Sequence, residues 1–291
     1  MEFDPFLYVA FVAGFLAGRV VRYRSPWIPR ATLATVVVLV GLLGATLSLV
    51  SPASLLTEIP SAVAFVAAIL GATIGLYLVL ARFGPSEGPG GVAPPPESRR
   101  RVPFSVGLLA ALLAGYALGR LSGVDVTAAI PWVLYVLLAL VGFDITLTLA
   151  GLKGVWIPLS AAIAGATIAG ALFAVAGGVS VPAAFATSLG FGFYSLAGPL
   201  VTARLGAVLG LLAFLTNFLR ENLTMLLAPY LGRRLRGGGL SAMGGATAMD
   251  TTLYFVTRYG DPKAGSLALA VGFILTLTAT LALPALLALP A

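Results

Sequence analysis

Three acidic residues lie inside otherwise apolar stretches: Asp144 in VGFDITLTL, Glu221 in FLRENLT and Asp250 in GGATAMDTTL. A carboxylate at the centre of a membrane-spanning helix costs about 2.5 kcal/mol or more on insertion scales, unless it faces protein, water or a partner charge. Glu221 falls near the middle of the stretch from 206 to 232, and at ~1.5 Å per residue a helix of that length crosses a bilayer. Asn217, Glu221 and Thr224 follow i, i+4, i+7 spacing and share one helix face, flanked by Arg220. The chain has no His and no Cys, so disulfides, thiol chemistry and the usual zinc sites are excluded and proton chemistry falls to carboxylates. Removing a carboxylate from water favours its protonated form, and an approaching cation favours the ionised one. A proton and a cationic substrate therefore compete for such a site, and that competition is the core of an antiporter. The plainer readings are a buried pair of Glu221 with Arg220, an Asp250 that only caps a half-helix, and an interfacial Asp144. The hydroxyls of Tyr194, Ser195, Thr247, Thr251 and Thr252 complete the candidate set and suit an α-amino acid backbone. Hydroxyls in membrane helices also bond to their own turn.

These residues need an apolar scaffold, and composition supplies it. Of 291 residues 59% are hydrophobic and only 9% charged, against about 25% charged in soluble domains. The fold class expected is an all-α polytopic membrane protein, not a barrel, whose strands would alternate. Apolar segments run over 5–21, 31–50, 60–82, 103–121, 128–150, 155–177, 206–232 and 262–289, giving about eight crossings. Two further stretches, 181–203 and 240–257, are apolar but carry glycines near their middles and hydroxyl residues close by. Backbone leaves the helix at membrane depth only where protein buries it or water lines it, so these read as re-entrant or broken segments of a substrate site. Ten crossings result if both span, and plain Gly-mediated helix packing is the alternative.

The Pro/Gly-rich stretch GPSEGPGGVAPPPESRRR cannot pack as a core element. It divides the chain into a three-helix part (1–83), a linker (84–102) and a larger C-terminal transport core (103–291). Basic residues sit at the ends of apolar segments, which fits orientation signals and not nucleic-acid binding. With both broken stretches re-entrant, Arg19, Arg22, Arg24, Arg30, Arg82, Arg99, Arg100, Arg101, Arg233, Arg234, Arg236, Arg258, Lys153 and Lys263 fall inside, and Arg120 and Arg204 outside. Both termini then lie outside. GFLAGR (14–19) matches GYALGR (115–120) at an offset of 101, with Gly41 over Gly142, and AAILGATI (67–74) matches AAIAGATI (161–168). Helices 1–3 thus read as repeated in helices 4–6, inverted because three is odd. YSLAGPLVT (194–202) lies weakly over MDTTLYFVT (249–257).

GFGFYSLAG (190–198), AFLTNFLRE (213–221), LAPYLGRR (227–234) and GGATAMDTTL (244–253) resemble, in that order, signature stretches of the LysO-type L-lysine exporter family of prokaryotic inner membranes. The resemblance is best over 103–291 and more compositional over 1–83. It implies export of L-lysine and toxic analogues, an eight-helix fold with both ends out, and an acidic pair matching Glu221 and Asp250. Ala197 and Ala248 stand where the family often has Ser, and Tyr254 where it often has Pro, which bears on substrate identity more than on transport.

The expectation is a secondary exporter of L-lysine or close cationic analogues in the cytoplasmic membrane, exchanging for protons. The candidate binding residues are Glu221, Asp250, Asn217, Arg220, Asp144, Ser195, Tyr194, Thr247 and Thr251, with no cofactor, metal or enzymatic activity. No nucleotide-binding loop points to ATP. An Na⁺/H⁺ antiporter and an exporter of another amino acid are the alternatives within transport. An intramembrane aspartyl-type enzyme is the alternative outside it, but the YD and GxGD motifs are absent.

Overall fold

An apolar segment in lipid must satisfy its own backbone hydrogen bonds, which a helix does within the segment. The computed structural model describes residues 5–20, 27–83, 104–144, 154–176, 178–260 and 264–289, and these are all-α. The linker 84–102 and the flanking charges Arg22, Arg24, Lys153 and Lys263 lie outside the described residues.

The helices are α1 (Pro5–Val20), α2 (Ile28–Leu47), α3 (Pro52–Leu80), α4 (Phe104–Ser122), α5 (Ile130–Asp144), α6 (Trp156–Ala176), α7 (Val181–Ser188), α8 (Tyr194–Leu205), α9 (Ala207–Gly244), the single turn α10 (Leu253–Phe255) and α11 (Gly265–Leu286). Most coincide with the apolar segments of the sequence to within a few residues; α5 ends at Asp144, with 145–150 outside the described residues, α9 runs past 232 to Gly244 across the non-helical Arg236, and α3 starts at Pro52. Ser51 caps it there, its hydroxyl accepting from the Ser54 amide at 3.2 Å, with proline in the first turn. Among the described residues four helices, Arg30–Leu47, Pro52–Leu80, Trp156–Ala176 and Gly265–Leu286, are long and apolar enough to cross a membrane, and Pro5–Val20, Val106–Ser122 and Thr127–Phe143 are apolar but shorter. This is the architecture of a multi-pass membrane protein.

The helices pack in two groups. In one, α1 lies along α5 and α2 along α4, with α2 and α5 in contact; in the other, α3, α6, α7, α8 and α11 pack on α9, which carries Glu221. α8 bridges the groups by touching both α2 and α5. The three N-terminal helices therefore pack chiefly on helices of the C-terminal part, not on one another. Small residues make the first group tight. A Cβ at Gly14 of α1 would land on the Ala139 carbonyl of α5, and one at Gly115 of α4 on the Gly41 carbonyl of α2. Gly18 and Gly119, one turn further on, face Phe143 and Ala45 in the same manner, and Gly142 faces the Phe11 carbonyl. In the second group Gly165 of α6 packs on Thr73 of α3, so the two similar GAT stretches lie against each other.

Candidate functional site

The first broken stretch is a helical hairpin. α7 ends at Ser188, the chain turns through 189–193 with Phe191 at φ +50° and Gly192 at φ +89°, and α8 starts at Tyr194. Both limbs lie against the first half of α9: Gly198 meets Phe214, Gly210 meets Thr202, and Ala184 shares an apolar cluster with Leu212. A β-carbon-bearing residue at positive φ is uncommon and persists only where surroundings hold it. Asn217 does the holding. Its Oδ1 accepts from the Gly192 amide at 2.8 Å, and its Nδ2 donates to the carbonyls of Thr187 and Ala213, both at 2.9 Å.

The second broken stretch is another hairpin, approaching from the opposite end of α9. Helical geometry in α9 stops at Arg236 (φ +50°, ψ −162°), and residues 237–244 run back along the helix they came from. Arg220 reaches across to that returning half, donating from Nε to the Met243 carbonyl at 2.9 Å and from Nη2 to the Ala242 carbonyl at 3.0 Å. Gly245 (φ +67°) ends the helix, and a 3-10 turn, Gly245–Met249, forms the tip. The chain then goes back through α10 and a π turn, Val256–Gly260, with Tyr259 against Gly232 and Gly260 against Gly237.

The two tips meet. The Ala246 amide donates to the Phe191 carbonyl at 2.8 Å, and the Arg220 guanidinium lies 5.7 Å from the centroid of the Phe191 ring. Beside this junction stand the two acids. Glu221 is 2% exposed, and its Oε2 is buried with no hydrogen-bond partner. Its carboxylate adjoins the hydroxyls of Tyr194 and Thr251 and lies within electrostatic range of Asp250. Asp250 is exposed, and its Oδ1 accepts from the amide and hydroxyl of Thr251. Glu221 is thus an inner carboxylate and Asp250 an outer one, carried on different elements. Tyr194 is buried edge-on against Phe214 and Phe218, each ring centroid 5.7 Å away, which fixes its hydroxyl toward the acids.

The structure brings Glu221, Asp250, Tyr194 and Thr251 to one place. Asn217 and Arg220 are adjacent, but their hydrogen bonds run to backbone; Thr247, also adjacent, donates its hydroxyl to the Gly244 carbonyl at 2.9 Å and lies 3.4 Å from the Thr252 hydroxyl. Ser195 is buried in the first turn of α8. Asp144 is the last residue of α5, an element of the other helix group. The polar stripe faces inward as its spacing predicts: Asn217, Glu221 and Thr224 are all buried, though the Thr224 hydroxyl goes to its own turn at the Arg220 carbonyl. The Glu221–Arg220 pair does not form, since the guanidinium turns to carbonyls. Phe191 was not among the sequence candidates. An aromatic residue amid apolar ones carries no signal, and only its flanking glycines mark a turn.

A family model described as "Lysine exporter LysO" matches residues 109–287. A protein of Escherichia coli named "Lysine exporter LysO" is 34% identical over 183 residues, which are 60% of each chain. A Haemophilus influenzae protein named "Putative lysine exporter" is 33% identical over 92 residues, 32% of this chain and 47% of that one. The chain thus spans about three fifths and about half of these relatives' lengths. No solved structure matches. The family match contains both hairpins and both acids, and the chain belongs to the LysO lysine exporter family.

Proposed function

We propose that this chain is a secondary exporter of L-lysine or close cationic analogues, exchanging them for protons at the Glu221–Asp250 site. The observation that carries this is the buried, unpartnered Oε2 of Glu221 at the junction of two hairpin tips. A buried acceptor left unpaired costs about 1–3 kcal/mol, more when charged, and a proton or an ammonium relieves that cost. Lysine brings a side-chain ammonium on a long stem together with its α-ammonium, so it can reach the inner and the outer carboxylate at once. Each cation that binds displaces a proton and each proton displaces a cation, which is exchange. The names of the relatives support lysine as the cargo.

The purified protein in proteoliposomes tests the reading. Lysine movement is expected to follow an imposed pH gradient and to acidify or alkalinise the lumen in step, with arginine, sodium and neutral amino acids as the comparison panel. Sodium-for-proton exchange with no lysine movement would overturn it.

The hairpins support a topology in which they enter from opposite faces, with both termini outside and α1–α3 inverted relative to α4–α6. Gly14 and Gly18 of α1 lie against α5 as Gly115 and Gly119 of α4 lie against α2 and its end, the correspondence a two-fold relation produces. The Cys-free sequence allows a direct check. Single cysteines replacing Val20 and Arg234 are expected to label only from the cytoplasmic side, and those replacing Ser122 and Val181 only from outside. External labelling at 234 would favour ten crossings.

A further inference from the structure

Arg220 stands one residue before Glu221, yet its side chain serves neither the carboxylate nor an open cavity. The guanidinium is completely buried. Two of its nitrogens are taken by the Met243 and Ala242 carbonyls, and the Phe191 ring lies 5.7 Å from it. Met243 and Ala242 belong to the last turn of the returning half of α9, where carbonyls without helical partners collect at the negative end of the dipole. Phe191 is the tip of the other hairpin and accepts the Ala246 amide. From the first half of α9, Arg220 therefore reaches both hairpins, at the Phe191 ring of one and at the carbonyls just before the tip of the other.

We propose that Arg220 is a positioning residue that locks the two hairpin tips together. Tyr194 rides on the first hairpin and Asp250 and Thr251 on the second, so Glu221 meets them at one place only while the tips are joined. A planar guanidinium suits this because its fixed fork spans two successive carbonyls while its face lies toward a ring; an ammonium is a point donor and does one of these at a time. The fork is kept although Nη1 is left buried without a partner, a cost that an apolar residue of similar length would not carry. Asn217 performs the matching task one turn earlier, closing the Phe191 turn from below. The inner carboxylate is thus bracketed on its own helix by two residues that hold backbone. This takes the hairpin junction as the transport site, but its test uses no lysine.

The test is thiol protection in the ligand-free, full-length protein. A cysteine replacing Ala246, at the second tip, is compared with one replacing Ala62 of α3; both positions are buried, and Ala62 lies in the separate cluster with Leu212. With Arg220 present, both are expected to resist a small thiol reagent. In Arg220→Gln, labelling at 246 is expected to rise about tenfold or more, the scale of losing charge-assisted hydrogen bonds, while 62 stays protected. Arg220→Lys is expected to fall between. A cysteine replacing Ala248, also fully buried at the tip, repeats the measurement should the 246 variant fold poorly. Continued protection at the tip in Arg220→Gln overturns the proposal, as expected of a residue that only contacts ligand. Equal exposure at 246 and 62 also overturns it, because Arg220 would then hold up the whole fold.

Discussion

Glu221→Gln is expected to abolish lysine-for-proton exchange while leaving membrane insertion and helix content unchanged. The side chain makes no ion pair that the amide would break, and the amide has the same shape. Its Oε2 has no protein partner to lose, so the fold does not depend on the charge. Transport does. Truncating one member of a buried charge pair typically costs about 2–5 kcal/mol, equivalent to a loss of roughly thirtyfold to several-thousandfold in affinity for the ammonium. The amide also binds no proton in the working range, so coupling is lost and not merely weakened. Asp250→Asn is expected to act alike at the outer position, because an Asn oxygen still accepts from the amide and hydroxyl of Thr251 and preserves the tip. Proteoliposomes loaded with a pH dye and given labelled lysine measure both halves of the exchange. A neutral variant that exchanges lysine for protons at the wild-type rate removes that carboxylate from the mechanism.

The inward stripe was legible in the sequence because helical spacing alone dictates which residues share a face. The two hairpins were legible as breaks because their glycines stand beside hydroxyl residues at membrane depth, whereas glycines of α1, α4, α5 and α6 serve close packing of unbroken helices. What the sequence did not reveal is the division of labour along the stripe. Asn217 and Arg220 read as ligands for substrate, but their hydrogen bonds go to Gly192, Thr187, Met243 and Ala242, backbone brought near only by the return of each hairpin. Nothing in a linear spacing predicts which tip comes back to which turn. The turn out of α9 is a second case. Gly232 looked like a helix end, yet the helix continues to Leu235 and the strained conformation falls on Arg236. The glycines are needed elsewhere: Gly232 for contact with Tyr259, Gly237 for Gly260, and Gly239 for Tyr77. Close packing claimed them, and a non-glycine took the positive φ.

Gly245→Ala is expected to open the hairpin junction and stop transport, with an effect exceeding that of backbone strain alone. Gly245 sits at φ +67°, ψ −128°, a region outside even the left-handed helical basin, where a non-glycine residue costs about 1–3 kcal/mol. The new methyl would also fall on the Phe191 carbonyl, the acceptor for the neighbouring Ala246 amide, and within 3.2 Å of Arg220 Nη2. Relief requires the tips to part, and with them Tyr194 parts from Thr251 and Asp250. Gly123 provides the control. It has nearly the same φ, +63°, but nothing lies within 4 Å of where its Cβ would stand, so Gly123→Ala incurs strain of about 1–2 kcal/mol without collision. Thermal unfolding in detergent is expected to show a lowered midpoint for both variants, and lysine efflux is expected to fail only in Gly245→Ala. Should the two variants transport equally well, the contact between the tips is not what assembles the site.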